Sequence, residues 1–226
     1  AGLRLPYDGD PAASPTPPLA THQVRTGADA LVAAAAAAGV SLFHLVLASY
    51  LRCLATWTGH ERVAVNVARS GRHARVPGIE TLIGPLADVL PVMVEVRPAD
   101  GVADVAARVR QAWLESERHG SVSGVDIGRL ASAVGGRAPA AGFSFARFPV
   151  TIDTDGLPAV TATAAGAGSA ATRLSLLAWE IDGVLHLSWN FPSALFRRDT
   201  IARLATEHLA VLTATTTAAR RSVVRR

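Results

Sequence analysis

Two segments of alternating apolar residues, RLSLLAWEI (173–181) and VLHLSWNF (184–191), meet at Asp182-Gly183. Side chains along a strand point to opposite faces in turn, and Asp-Gly accepts the left-handed backbone of a two-residue turn. The pair therefore predicts an antiparallel hairpin, and the rest of the chain has to cover the sheet it begins. A second alternation, ERVAVNVA (61–68), sets Val63, Val65 and Val67 against Arg62, Ala64 and Asn66. THQVRT (21–26) and GFSFARFPV (142–150) read as further strands. TLIGPLADVLPVMVEV (81–96) carries one behind a Gly-Pro pair, with Asp88 just ahead of its apolar run.

Helical patterns lie between these strands. Alanine propensity predicts a helix from Asp29 to Ala38, ended by Gly39. Ser41 can cap a helix from Leu42 to Trp57, with Leu42, Leu45, Val46, Ser49, Tyr50, Cys53 and Trp57 on one broad stripe and Gly59 closing it. Val102 to Arg118 places Val105, Val109, Ala112 and Trp113 on one face. A short helix from Asp126 to Val134 and a closing one from Asp199 to Leu212 complete the set. TATAAGAGSAAT (161–172) reads as an extended or mobile crossing segment, since its side chains are too small to offset ordering entropy. This order predicts an α/β two-layer sandwich, a mixed sheet with helices on one side. The Pro- and Gly-rich residues 1–20 read as an extended linker, 21–215 as the folded unit and 216–226 as a frayed basic tail.

Composition narrows the function classes. Half of the 226 residues are hydrophobic, yet no apolar run reaches the ~20 residues of a membrane span, and no signal-peptide pattern opens the chain. Cys53 is the only cysteine, so no internal disulfide can form, which fits a reducing cytoplasm. The net charge of +4 comes with arginine in all 22 basic positions, spread along the chain except in ARRSVVRR. Without clustering or interleaved aromatics this is solvated charge, and nucleic-acid binding is not expected.

The search for chemistry is mostly negative. A catalytic histidine oriented in the compact His-x-x-x-Asp manner is absent, because none of the seven histidines has an aspartate four residues on. There is no His-Glu-x-x-His, no Gly-x-Ser-x-Gly and no phosphate loop ending in lysine; GAGSAA lacks it. His44, among Leu42, Phe43, Leu45 and Val46, reads as a core or boundary residue, and Cys53 as an inert buried thiol. Alternation puts His186 and Trp189 on opposite faces, and Arg72 and Arg75 read as surface charge.

The order of segments is more telling. SLFHLVLASYLRCLATWTGHERVAVNVARSGR resembles the helix, valine-rich strand and Gly-Arg turn of nonribosomal peptide synthetase condensation domains, here with Gly71-Arg72. IGPLADVLPVMVEV is similar to that family's Ile-Gly-Pro-Phe-Val-Asn-Thr-Leu-Pro motif, keeping Ile83, Gly84, Pro85, Leu90 and Pro91. HGSVSGVDIGRL echoes its His-Gln-Asp-x-Pro-Phe-Glu motif through His119 and Leu130 only. LSWNFPSALFRRDTIARL resembles the closing strand-turn-helix, with Asn190, Phe196, Thr200, Ile201 and Leu204 in place. LRLPYDGDPAASPTPP resembles the linker between the family's two lobes.

The resemblance covers the second half of such a domain, a lobe of the chloramphenicol-acetyltransferase type. The His-His-x-x-x-Asp-Gly motif belongs to the first lobe, which implies no catalytic residue here. It implies a tunnel wall or lobe interface at Arg72, Gly84, Pro85, Asp88 and Asn190, no metal, and no cofactor bound directly. Substrates would arrive on the phosphopantetheine arms of partner carrier proteins. The implied partners are the N-terminal lobe and the peptidyl or acyl carrier proteins, with neither nucleic acid nor membrane. Asp88 stands where the family usually has Asn, Leu86 where it has an aromatic, and Arg173 and Arg197 where it has acids. A carboxylate at the tunnel is costly if dry, so Asp88 should be hydrated or paired, with Arg72 a candidate partner. The alternative class is a non-catalytic lobe that recruits a carrier protein or tailoring enzyme.

Overall fold

The computed structural model describes residues 3–12, 19–72, 77–79, 81–84, 86–120, 122–147 and 172–224. Its elements are β1 (Ala20–Gly27), α1 (Asp29–Ala37), α2 (Leu42–Thr58), β2 (Arg62–Arg69), β3 (Asp88–Glu95), α3 (Val102–Arg118), α4 (Gly124–Ala133), β4 (Ala141–Arg147), β5 (Leu174–Ile181), β6 (Val184–Phe191) and α5 (Arg198–Val224). The crossing segment expected at 161–172 lies outside the described residues except for its last member.

The six strands form one mixed sheet in the order β1-β6-β5-β4-β2-β3. β5 and β6 make the hairpin that Asp182-Gly183 predicts, both residues having positive φ (51° and 73°). β4 lies parallel to both β2 and β5, and the remaining pairs are antiparallel.

Alternation decides which face is covered. Val63, Val65 and Val67 of β2, Leu90, Val92 and Val94 of β3, Leu174 and Leu176 of β5, and Leu185, Leu187, Trp189 and Phe191 of β6 are all buried. With Leu31, Leu45, Leu51, Val105, Val109, Ile201 and Leu204 from the helices, all of these except Leu90 form one core. The other face carries small and polar residues such as Ala64, Asn66, Ser144, Ser188 and Asn190.

α2 is buried well beyond the expected stripe, because Leu47, Ala48, Leu51 and Leu54 are enclosed as well. It lies against α1, α3, α5 and β2, so little of it meets water. Its start follows the sequence closely. Ser41 accepts from the His44 N–H while His44 Nδ1 faces the Ser41 N–H, a reciprocal cap. Gly59 ends the helix at φ 70°. α5 runs to Val224 rather than Leu212. Leu212 is its last buried residue among those whose side chains are described, and the backbone ladder continues past it to Val224. The helix therefore includes most of the stretch expected as a frayed tail.

Within the stretch read as a linker, residues 3–12 pack on the fold. Leu5 is buried, Leu3 and Tyr7 pack on the core, and Tyr7 meets Phe196 at 5.3 Å. Among the described residues no single helix is long and apolar enough to cross a membrane.

Candidate functional site at the β2–β3 end of the sheet

β2 ends and β3 begins at the same level of the ladder, so that Arg69 and Asp88 are register partners across residues 70–87. Gly71 makes the turn out of β2 possible. Its φ is 69°, and a Cβ there would sit 1.8 Å from the Leu86 carbonyl oxygen, so no larger residue fits without moving the backbone. Arg72 then stitches the loop to itself, its guanidinium donating to the carbonyls of Ile79 and Leu82 (2.9 Å for the latter). Gly84 is exposed beside Ile83, which is 98% exposed, and Pro85 lies outside the described residues. β3 proper starts at Asp88.

Asp88 pairs with Arg69, not with Arg72. Arg69 Nη2 lies 2.9 Å from Asp88 Oδ2, and the two side chains are 7% and 21% exposed. The same nitrogen donates to the Gly120 carbonyl (2.6 Å), and the Gly124 N–H donates to Asp88 Oδ1 (2.9 Å). The register explains the choice of partner, since Arg72 lies beyond the end of β2 and its fork is taken up by its own loop. Parity along β3 puts Asp88 on the face of Leu90 and Val92, so its carboxylate turns toward the α3–α4 connection. Burial pushes the Asp88 carboxyl up. The hydrogen bonds from Arg69, Gly124 and Val89 and the charge of Arg69 outweigh it, and the pKa falls below the ordinary carboxylate value. At neutral pH this is a held anion at the first N–H of α4, where the helix dipole also favours it.

Asn190 is elsewhere. It sits on β6, four strands from β3 and so roughly 19 Å across the sheet, and it faces the side away from the core. Its side chain accepts from the Thr21 hydroxyl (3.1 Å) and donates to the Ser188 carbonyl (3.1 Å), bridging β1 and β6. The structure thus brings Arg72, Gly84 and Asp88 to one end of the sheet and leaves Asn190 apart. His119, the residue kept from the weaker motif, ends α3 and is exposed, with Nε2 3.3 Å from Glu115.

Two groups were less legible in the sequence. Arg69 was hidden because its importance depends on strand register. His208, on α5, is fully enclosed against Ser49 and Tyr50 of α2 and Trp189 of β6. The Ser49 hydroxyl donates to the Val46 carbonyl (2.8 Å), so the 2.8 Å contact to His208 Nε2 has the imidazole N–H as donor. Burial holds this imidazole neutral down to a pKa of about 3. Cys53 is buried too, and desolvation raises its thiol to about 12, which suits an unreactive thiol. Among the described residues no group of three or more His, Cys, Asp or Glu is placed to hold a metal ion.

Comparison with known proteins matches this arrangement to one family. The family model described as "Condensation domain" matches residues 21–223. The nonribosomal peptide synthetase vlms of a Lecanicillium species is 32% identical over 85 residues, 38% of this chain and 1% of that protein. The solved X-domain from teicoplanin biosynthesis superposes with a TM-score of 0.80 at 24% identity, covering 96% of this chain and 51% of that one. The complex of the X-domain and OxyB from the same biosynthesis gives 0.76 at 24% identity, over 96% and 49%. The chain therefore spans about half the length of these two solved structures, and 1% of the synthetase.

Proposed function

Since this chain belongs to the condensation-domain family of nonribosomal peptide synthetases, we propose that it acts as the C-terminal lobe of such a domain. In that role it supplies one wall of the substrate tunnel and part of the docking surface for two carrier proteins. The observation that carries the reading is one of extent. The family match fills residues 21–223, while the chain accounts for only 51% of the X-domain structure it superposes on.

The reaction proposed for the assembled domain is amide formation. An amine on one carrier-bound intermediate attacks the thioester carbonyl of the other. The C–N bond forms, the C–S bond breaks, and the thiol of a phosphopantetheine arm leaves with the proton. The companion lobe's histidine orients or deprotonates the amine, and fixed dipoles stabilise the oxyanion. This lobe contributes the end of the sheet where Arg72, Gly84 and Asp88 lie, with Asn190 on a separate strand. Its carboxylate at position 88 is already engaged by Arg69 and Gly124, so its part is to fix the wall and α4 rather than to exchange protons. The carriers bring the phosphopantetheine, and the work is placed in the cytoplasm.

Fusion of this chain to a first lobe bearing the His-His-x-x-x-Asp-Gly motif, with two loaded carrier proteins, tests the proposal. Amide product that disappears when the motif's second histidine is replaced is the expected result. No product with any carrier pair, from a well-folded fusion, counts against it.

One observation favours a second reading, a non-catalytic recruiting lobe. Where the family usually has a neutral amide, this chain has a carboxylate consumed by a structural ion pair. The X-domain it resembles has been solved in complex with OxyB. A folded fusion that forms no amide yet binds a carrier or tailoring protein would select this reading.

A further inference from the structure

The segment that leads into the lobe is fastened to it at two points. At the first, the Asp8 and Gly9 N–H groups both donate to the Leu195 carbonyl (3.0 and 3.2 Å). The Asp8 carboxylate accepts from the Arg197 N–H (2.8 Å) and the Thr200 hydroxyl (3.1 Å), capping the start of α5. Gly9 lies flush on the fold, for a Cβ there would be 2.0 Å from the Ala194 carbonyl oxygen.

The second point is Arg173, the residue before β5. Its N–H donates to the Ala140 carbonyl (2.8 Å), which fixes its backbone at the entrance to β4. Its Nη1 donates to the Pro11 carbonyl (2.9 Å), and its guanidinium lies 5.7 Å from the centroid of the Tyr7 ring. A guanidinium can donate in its plane and pack its flat face on an aromatic ring at once. The aspartate that the resemblance leads one to expect here could do neither, and would face the Pro11 oxygen with like partial charge.

The geometry points to Arg173 as a positioning residue that ties residues 3–12 to the start of β5 and so sets the angle between this lobe and its companion. The angle-setting part rests on the two-lobe reading above, together with the resemblance of the first residues to the linker between the family's two lobes. Arg173 fastens that linker, through Tyr7 and Pro11, to the start of β5. The fastening itself does not depend on that reading.

Amide hydrogen exchange at Asp8 and Gly9 in the full chain is the first arm. Arg173→Ala should accelerate both amides at least ~10-fold while Tm stays within about 2 °C, because only local opening is affected. Arg173→Lys should recover part of the protection, since an ammonium can still donate to Pro11. The second arm is the fluorescence energy-transfer distribution between one dye on each lobe of the fused two-lobe protein. Arg173→Ala should broaden it, and Arg173→Lys should narrow it again. Unchanged exchange, or a distance distribution identical to that of the unmodified protein, overturns the inference. Lack of amide formation by the unmodified fusion would instead count against the two-lobe reading.

Discussion

At the scale of single residues, the Arg69–Asp88 pair is the feature with the clearest energetic consequence. Asp88→Asn would bring position 88 to the residue usual in the family, yet here it removes the charged partner of a guanidinium that is only 7% exposed. The expected result is a loss of about 2 kcal/mol by denaturant unfolding, because a charge-assisted hydrogen bond is replaced by a neutral one while the Gly120 contact remains. Combining it with Arg69→Leu should recover part of that loss, and strictly additive losses would show that the pair is not coupled. His208 gives a pH dependence of defined sign. Its folded pKa is depressed to about 3, while an unfolded histidine titrates near about 6.5. Below about pH 6.5 the unfolded chain takes up a proton that the folded chain cannot. Stability should therefore fall with pH from about 6.5 towards 3, by up to about 1.4 kcal/mol per unit. His208→Gln should flatten the slope between pH 4 and 6, above the range where the depressed Asp8 and Asp88 carboxyls add their own acid loss. An unaltered slope in that variant would place the effect elsewhere.

At the scale of elements, the period-2 and helical patterns were readable because each strand buries one face and each helix one side. The Asp-Gly turn, the Ser41 cap and the Gly59 stop are local chemistry, so they stand in the structure where the sequence puts them. What stayed illegible is non-local. Arg69 and Asp88 are 19 positions apart, and only the β2–β3 register brings them together. A ladder counted from the Asn66–Pro91 pair towards the loop would have reached them, but the long loop itself hides that register in the sequence. The side-chain partners of Asp8 and Arg173 were illegible for the same reason, since they lie more than 160 residues away. The expected end of α5 falls short of the helix because, among the residues whose side chains are described, the last buried one is Leu212 and the apolar pattern in the sequence fades there. Truncation after Thr217 should accordingly leave Tm within about 2 °C of the full chain. A drop of 5 °C or more, measured by thermal unfolding, would mean that the last turns carry packing of their own.

At the scale of the whole molecule, the fold supplies a covered sheet, a clasped end at Arg69–Asp88 and a docked entry segment. Its sequence supplies no histidine with an aspartate four residues on. On the proposed reading this lobe shapes and docks, and the base that drives an amine onto a thioester comes from its companion. The most direct measurement is mass spectrometry of two carrier-bound substrates incubated with this chain alone, with a first lobe alone, and with the two joined. Amide product should form only in the joined sample. Product from this chain alone, above a control without protein, would contradict its assignment as one lobe of a two-lobe catalyst.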